Sequence, residues 1–557
     1  MTTEGLLGSW DLDGSPMEAG GRDGGVLLSL LSDARYTEVC DVPALSLRDG
    51  RVLRVEAAWG QRSEFAVSMW VCLEGDAEHG SLLSCFNPLE RHGLNLVLLD
   101  GHSTTSRSNA VGVELGVDWG APPVWETLGR PPGSTGILAV AVHRGELHVG
   151  TLGDDGVGRV FRWSGTWVEL AGVTEANCVS ALASHRGRLY AGTTRYRTGG
   201  SAIDIADNDR PGGEVRVFDE TTGWSTAGGG RLRGVDGITA LTVHAGRLHA
   251  AAMYQEGIWL LDGERWRSLG SPGRRVLTMG VHDGRLHVGG NDHADPDSAI
   301  DLTRQGVVVE QRDSAGGGGV FALGDDSAWQ FLGFQEDTTQ IYSLTTHRGE
   351  LYASTWPNGL VYRHTGGTSW QSTGRLGEET EVMGLTTYNG TLYGGTLPHA
   401  QLHRHAVDGW SLVGTLDVTP QALYRRAAGM AVHAGKLMVG TLPSGAVHAM
   451  GVGDVVTHDR SLRPGWHHVV ASCGADRLAL WVDGEQIATV RSDAAPARPL
   501  PDAPLVIGAG SRGGLNAEIR NLRVFGRALG DADIVDLLAD DPRLDQHAGQ
   551  AGRKDQR

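Results

Sequence analysis

Two stretches of this 557-residue chain gather carboxylates at a spacing that suits a hard cation. Asp204, Asp207 and Asp209 stand as Asp-x-x-Asp-x-Asp, and Asp292, Asp295 and Asp297 repeat that order. Calcium takes clustered carboxylate and carbonyl oxygens, which makes Asp292, Asp295 and Asp297 its candidate ligands, although the glycine and closing glutamate of an EF-hand loop are absent. The stretches also share the tetrapeptide SAID, which aligns Asp204 with Asp301 as candidate ligand contacts. The aspartate triplets fall on opposite sides of SAID, and solvated turn aspartates have the same composition. Further acids, Asp236, Glu336, Asp337, Glu378, Glu379, Glu381 and Asp417, crowd comparable loops, and a glycosidase needs two such carboxylates at a set separation. Other reactive signatures fail, for there is no Gly-x-Ser-x-Gly, no His-Glu-x-x-His and no Walker loop. GAGSRG (508–513) has dinucleotide glycine spacing, but LNAEIRNLRVF after it predicts a strand where that site needs a helix.

A repeat must position these residues. One phrase recurs from AVHRGELHVGT to AVHAGKLMVGT and sets turn glycines at Gly145, Gly187, Gly246, Gly284, Gly349, Gly390 and Gly435. The intervals of 42, 59, 38, 65, 41 and 45 residues describe a unit of about 40 with two long insertions (193–213 and 290–319), in the range of propeller repeats. Each unit decodes as four strands: an apolar innermost strand, a tight hairpin, a second strand, a third, and a fourth carrying Trp167, Trp224, Trp266, Trp329, Trp370 or Trp410. The seventh unit lacks its fourth strand, and VWETLG (124–129), with Trp125, stands ahead of the first unit to supply it.

Histidine is abundant, at 22 residues. His143, His185, His244, His282, His347 and His433 share the hairpin slot with Tyr388, and His148, His249 and His287 alternate with Tyr190, Tyr352 and Tyr393 in second strands. Residues repeated in every unit are read as structural. His467 and His468 adjoin on a strand and leave by opposite faces, so one ion cannot take both. Loops after second strands share one face with the connections between units. There Arg195, Tyr196, Tyr254, Trp356 and His399 are the candidate ligand contacts, beside Asp204 and Asp301. Arginine holds carboxylates or hydroxyls, and aromatic rings stack on apolar sugar faces.

The flanks carry a different signal. GLLGSWDLDG and FAVSMWVCLEG at the front, then LRPGWHHVVASCGADRLALWVDGEQIATV, PLVIGAG and AEIRNLRVFGRALGDADIVDL at the back, resemble strands of the laminin-G-like, concanavalin A-like jelly roll. The WHHV…L-x-V-D-G segment is the specific one. The resemblance covers about 4–118 and 452–540 and implies one sandwich, since neither half buries a core alone. The expected organisation is 1–118 as the first half, 119–451 as a propeller, 452–540 as the second half and 541–557 as a mobile tail. The fold class is all-β, a seven-bladed β-propeller inserted into a concanavalin-like β-sandwich.

Charge narrows the partners. With 66 acidic against 48 basic residues the net charge is −18, and no basic run is present to displace phosphate counterions, so no nucleic acid is expected. Apolar runs fall short of the roughly 20 residues of a membrane span. The opening MTTEGLLGSWDLDG lacks the regions of a secretory signal, and Cys40, Cys72, Cys85, Cys178 and Cys473 form no CxxC. The expectation is a cytoplasmic protein, or an extracellular one if the start is truncated or exported by another route. Function reads as recognition of a glycan or glycosylated surface through the insertion-bearing face. The alternatives are a carbohydrate-active hydrolase or lyase with paired carboxylates there, and an intracellular scaffold with a protein partner.

Overall fold

The computed structural model describes residues 4–14, 27–30, 34–56, 63–74, 79–99, 108–109, 112–196, 209–291, 318–325, 327–333, 338–491 and 499–540. Among them strands dominate, and no helix is long and apolar enough to cross a membrane.

Each propeller unit returns on itself through a two-residue turn whose residues both have positive φ, 52° at Arg144 and 86° at Gly145 in the first. This is the type I′ geometry, whose twist matches the flanking strands and whose second position favours glycine. The first unit is an antiparallel meander of Ser134–His143, Glu146–Gly153, Val160–Trp163 and Trp167–Glu169. The same order recurs down to Glu381–Tyr388, Thr391–Leu397, Gln401–Ala406 and Gly409–Thr415. Innermost strands Ser134–His143, Cys178–His185, Ile238–His244, Arg275–His282, Gln340–His347, Glu381–Tyr388 and Arg426–His433 each touch the next, and the last touches the first. Val124–Gly129 pairs with Val447–Gly451, Trp125 opposite Met450, and completes the last unit from the front of the chain.

The repeated side chains fasten unit to unit. Fourth-strand indoles donate to the preceding unit: Trp167 Nε1 to Leu128 O (2.9 Å), Trp224 to Leu170 O (2.9 Å) and Trp370 to Leu332 O (2.8 Å). Hairpin histidines reach the following unit, with His143 Nδ1 2.8 Å from Ser184 Oγ and His347 Nδ1 3.1 Å from Thr387 Oγ1. All but His433, whose unit has Met438 there, also meet the second-strand ring of their own unit, as His143 does His148 and His347 does Tyr352. Trp167→Phe keeps an aromatic ring, though a smaller one, and loses the bond that ties the first unit to the closing strand. It is expected to cost about 1 kcal/mol, the net worth of one such hydrogen bond, read as a lower urea midpoint with an unchanged slope.

The flanks build two sheets, each drawing strands from both ends of the chain. One runs Tyr36–Val39, Val42–Ser46, Glu518–Phe525, Phe65–Leu73, Gly465–Cys473, Arg477–Val482, Glu485–Arg491, with Leu6–Trp10 also on Glu518–Phe525. The other runs Leu27–Leu30, Leu53–Glu56, Leu505–Ile507, Gly80–Asn87, His92–Leu99, Gly112–Trp119, Asp454–His458. A single core packs Val67, Met69, Leu83 and Leu96 with Val469, Leu480, Ile507 and Val524. Val117 faces Asp454 in the ladder, so the strands entering and leaving the propeller are neighbours. Their closeness lets a closed ring sit between them.

The hairpin end of the ring rests on the sandwich. Arg348 N–H donates to Ser511 O (3.0 Å), Asn389 N–H to Glu114 Oε1 (2.9 Å), Ala434 N–H to Asp459 Oδ2 (2.9 Å) and Gly145 N–H to Asp459 O (2.8 Å). Ser108–Asn109, between two sandwich strands, pairs in parallel with Val140 and Ala141. The second strand holds the other edge of that innermost strand, so Ser108–Asn109 lies on the channel side, against Cys178–His185 and Arg426–His433 as well.

Candidate functional site

At the opposite end of the channel every innermost strand carries a bulge. One extra residue stands out of the ladder at Leu138, Ser180, Thr239, Leu277, Tyr342 and Met383, and Ala428 with Gly429 does so in the last unit. A bulge frees its residue from pairing and re-aims the side chain. Around the channel mouth the result has two halves. Leu138 packs with Leu152, Cys178, Tyr196, Met253 and Leu442, with Tyr254 against them. Met383 packs with Leu397 and Ala428, with Tyr342 and Tyr424 against them.

Between these halves lies a charged cluster. Arg426, 9% exposed, donates from Nη1 to the hydroxyl of Tyr196 across 2.7 Å, joining two units 230 residues apart in sequence. Burial pulls the Arg426 guanidinium down, but Tyr196, Glu381 and Tyr342 outweigh it and hold the group above its ordinary value. The Tyr342 hydroxyl is pushed well up, first by burial and then by Glu381, against the opposing pull of Arg426 and Arg275. Tyr424 is raised by burial and by the same Glu381. The mouth thus offers phenol hydroxyls, a carboxylate and guanidinium groups beside apolar rings, which suits a polyhydroxylated ligand with one apolar face.

The residues expected at the ligand face divide. Tyr196 buries its ring (8% exposed) because Asn177 clamps its backbone, Nδ2 donating to Tyr196 O (2.8 Å) and Oδ1 accepting Tyr196 N–H (2.6 Å). Tyr254 is half-buried at the mouth, and Trp356 ends strand Glu350–Trp356 opposite Gln340. Arg195 is turned to Asp209, Nη2 to Oδ1 at 2.8 Å. His399 gives Nδ1 to Glu379 Oε1 at 2.6 Å and its backbone N–H to Oε2 at 3.1 Å, with Glu379 almost wholly buried. Asp204, Asp207, Asp301, Asp292, Asp295, Asp297, Glu336 and Asp337 lie outside the described residues. Among those described, no three His, Cys, Asp or Glu stand together as a metal site.

Other candidate carboxylates hold loops. Asp417 accepts from Thr419 N–H (2.9 Å) and Ser444 N–H (2.8 Å), bonds that outweigh burial and keep its carboxyl below the ordinary range. Asp236 takes Gln255 Nε2 at 3.3 Å while its own N–H reaches Gln255 Oε1. Each acid precedes an innermost strand and secures the turn between second and third strands of the same unit.

Sequence reasoning missed Arg275, Gln340, Tyr342, Tyr424 and Arg426, yet a signal exists. Nine residues before the turn glycine the units read Gly136, Cys178, Gly237, Arg275, Gln340, Glu381 and Arg426, and seven before it stands the bulge. Small residues occupy this slot in three consecutive units and polar ones in the next four. Aligning units on their glycines separates this variable ring from the constant ones.

Comparisons with known proteins follow the same division. No curated protein matches the chain in sequence. A streptogramin B lyase structure shares 11% identity at a TM-score of 0.45, covering 59% of this chain and 98% of that one. Virginiamycin B lyase from Staphylococcus aureus shares 10% at 0.43 (59% and 99%), and the WD40 β-propeller domain of Doa1 11% at 0.41 (59% and 97%). At this distance no activity carries over from them. Residues 425–535 match the Laminin_G_3 family model, described as the concanavalin A-like lectin/glucanases superfamily. The chain is therefore similar to the concanavalin A-like lectins and glucanases over that stretch, with a β-propeller preceding and entering it.

Proposed function

We propose that this protein, a seven-bladed propeller set into a split sandwich, is a recognition protein that binds glycan at the channel mouth. The observation that supports this most is the asymmetry of the ring. The sandwich and Ser108–Asn109 occupy its hairpin end, whereas the bulge residues, Tyr342, Glu381 and Arg426 gather at the other. A ligand then enters from one side and meets rings, hydroxyl-bonding groups and charge together. A glycan-array screen of the full chain, with and without chelator, tests the reading. The expected result is a selective set of hits, weakened at least about tenfold by Tyr342→Ala in protein whose circular dichroism at the assay temperature is that of the folded chain. A blank array from folded protein would overturn it and leave the protein scaffold. Loss of binding on chelation alone would bring in Asp292, Asp295 and Asp297.

One observation favours catalysis as a second reading. Glu379 Oε1 lies 2.6 Å from Nδ1 of His399 while the ring is 54% exposed, which pairs an accessible imidazole with a buried carboxylate that orients it. Chain cleavage of an array hit, abolished by His399→Gln, would establish it.

A further inference from the structure

Each innermost strand runs from the mouth to the hairpin end of the ring, so what holds one end bears on the other. Gln340–His347, Glu381–Tyr388 and Arg426–His433 are eight residues long, roughly 25 Å at the rise of a strand. Their mouth ends carry Tyr342, Glu381 and Arg426, the polar half of the mouth. Their other ends run into the turns at Arg348, Asn389 and Ala434, and all three turns bond to the sandwich. The sixth unit is gripped most fully. Glu114, buried on sandwich strand Gly112–Trp119, accepts Asn389 N–H, Asn389 Nδ2 donates to Val452 O (2.8 Å), and Arg512 donates from Nη2 to Thr387 O. Tyr388 ties this unit to the seventh by donating its hydroxyl to Gly435 O (2.8 Å), and Gly435 N–H donates in turn to Thr457 Oγ1 (3.0 Å).

A buried turn amide that loses its acceptor keeps the full cost of its desolvation. The packed strands beyond it transmit a displacement instead of absorbing it. We infer that the sandwich positions the polar half of the mouth, with Glu114 and Asp459 as positioning residues that act through the innermost strands of the sixth and seventh units. The mouth is the binding end on the glycan reading, and the coupling behind it can be measured without a sugar.

The test is hydrogen exchange, read by mass spectrometry on the full chain. Glu114→Ala leaves Asn389 N–H without its acceptor, and Glu381–Tyr388 is then expected to exchange at least about tenfold faster along its whole length, residues 382–385 near the mouth included. Ile238–His244 in the third unit and Phe65–Leu73 in the sandwich should keep their rates. Glu114→Gln retains a side-chain oxygen for the amide and should restore slow exchange. Asp459→Ala makes the same test on Arg426–His433, which covers the case in which the first variant folds poorly. On the printed glycan array, signal from the hits should fall several-fold with Glu114→Ala and return with Glu114→Gln. Faster exchange confined to residues 387–390 would overturn the inference, because the bond would then support its own turn and nothing beyond. Faster exchange in every unit alike would overturn it as well, and so would hits unchanged by Glu114→Ala although the mouth loosens. Selective loosening of the mouth beside a blank array of the native chain would uphold the positioning and overturn the glycan reading.

Discussion

Acidification from about pH 7 to about pH 4 is expected to unfold the protein, and histidine is the reason. Burial drives His148 and His249 down to about 3, and His143, His287 and His468 down to about 4. In the unfolded chain each of these rings titrates near 6.5. A group whose folded pKa is depressed in this way takes up its proton more readily unfolded, so the unfolded state gains as pH falls below 6.5 and the loss is complete near 3 to 4. Each ring is worth roughly 3–5 kcal/mol over that window, against a total stability of roughly 5–15 kcal/mol. The five do not titrate independently, but two or three suffice. Asp118 opposes them, because burial raises its carboxyl to about 6 and the folded state gains as it protonates on the way down. Glu114 and Asp459, raised by burial, and His467, raised by Asp483 against burial, act with it, but burial also depresses His347, His405, His448 and His458, so the histidines outnumber the groups that oppose them. Tryptophan fluorescence followed against pH should show a cooperative loss of structure centred between about pH 4 and 6. A folded protein at pH 3 would contradict the assignment of these rings as buried and neutral.

A chain ending at Val452 is expected to lose its sandwich altogether. The truncation removes Glu518–Phe525 and Gly465–Cys473, the strands on both sides of Phe65–Leu73, and Leu505–Ile507 from between Leu53–Glu56 and Gly80–Asn87. Val469, Leu480, Ile507, Ile519, Leu522 and Val524 leave the core with them. At roughly 1.5–3 kcal/mol for each buried side chain, these six alone amount to as much as a whole domain's stability. The exposed ladder edges would then aggregate. Deleting 120–453 and joining Trp119 to Asp454 through a short turn should do far less damage, since Val117 and Asp454 already face each other. Soluble yield and near-ultraviolet circular dichroism of the two chains decide the matter. A soluble, well-folded front half in the truncated chain would mean that the two ends do not share a core.

What could be read in the sequence follows from the range of the interactions involved. Turn glycines were legible because a type I′ turn places its requirement on adjacent residues, and the fourth-strand tryptophans because they recur once per unit. Trp125 and VWETLG showed as the missing outer strand because their composition matched a gap in the repeat. The channel mouth was hidden for the opposite reason. A bulge is a register shift between two strands, so the run of Ile341, Tyr342 and Ser343 gives no sign that Tyr342 leaves the ladder. The bond from Arg426 to Tyr196 joins residues that no local pattern connects. Glu379 and Asp417 were recognisable as acids on the right face, but their roles depend on amides in turns about 20 and 27 residues further on. Chemistry-bearing residue types were therefore easier to find than the partners that decide what each one does.

The most direct measurement is a crystal of the full chain soaked with the tightest hit from the glycan array. The account predicts density for the sugar at the channel mouth, over the bulge residues and in contact with Tyr342, Glu381 and Arg426, with the hairpin end of the ring unchanged. Sugar bound instead to the sandwich, or to the outer strands of the propeller, with the mouth empty would contradict it.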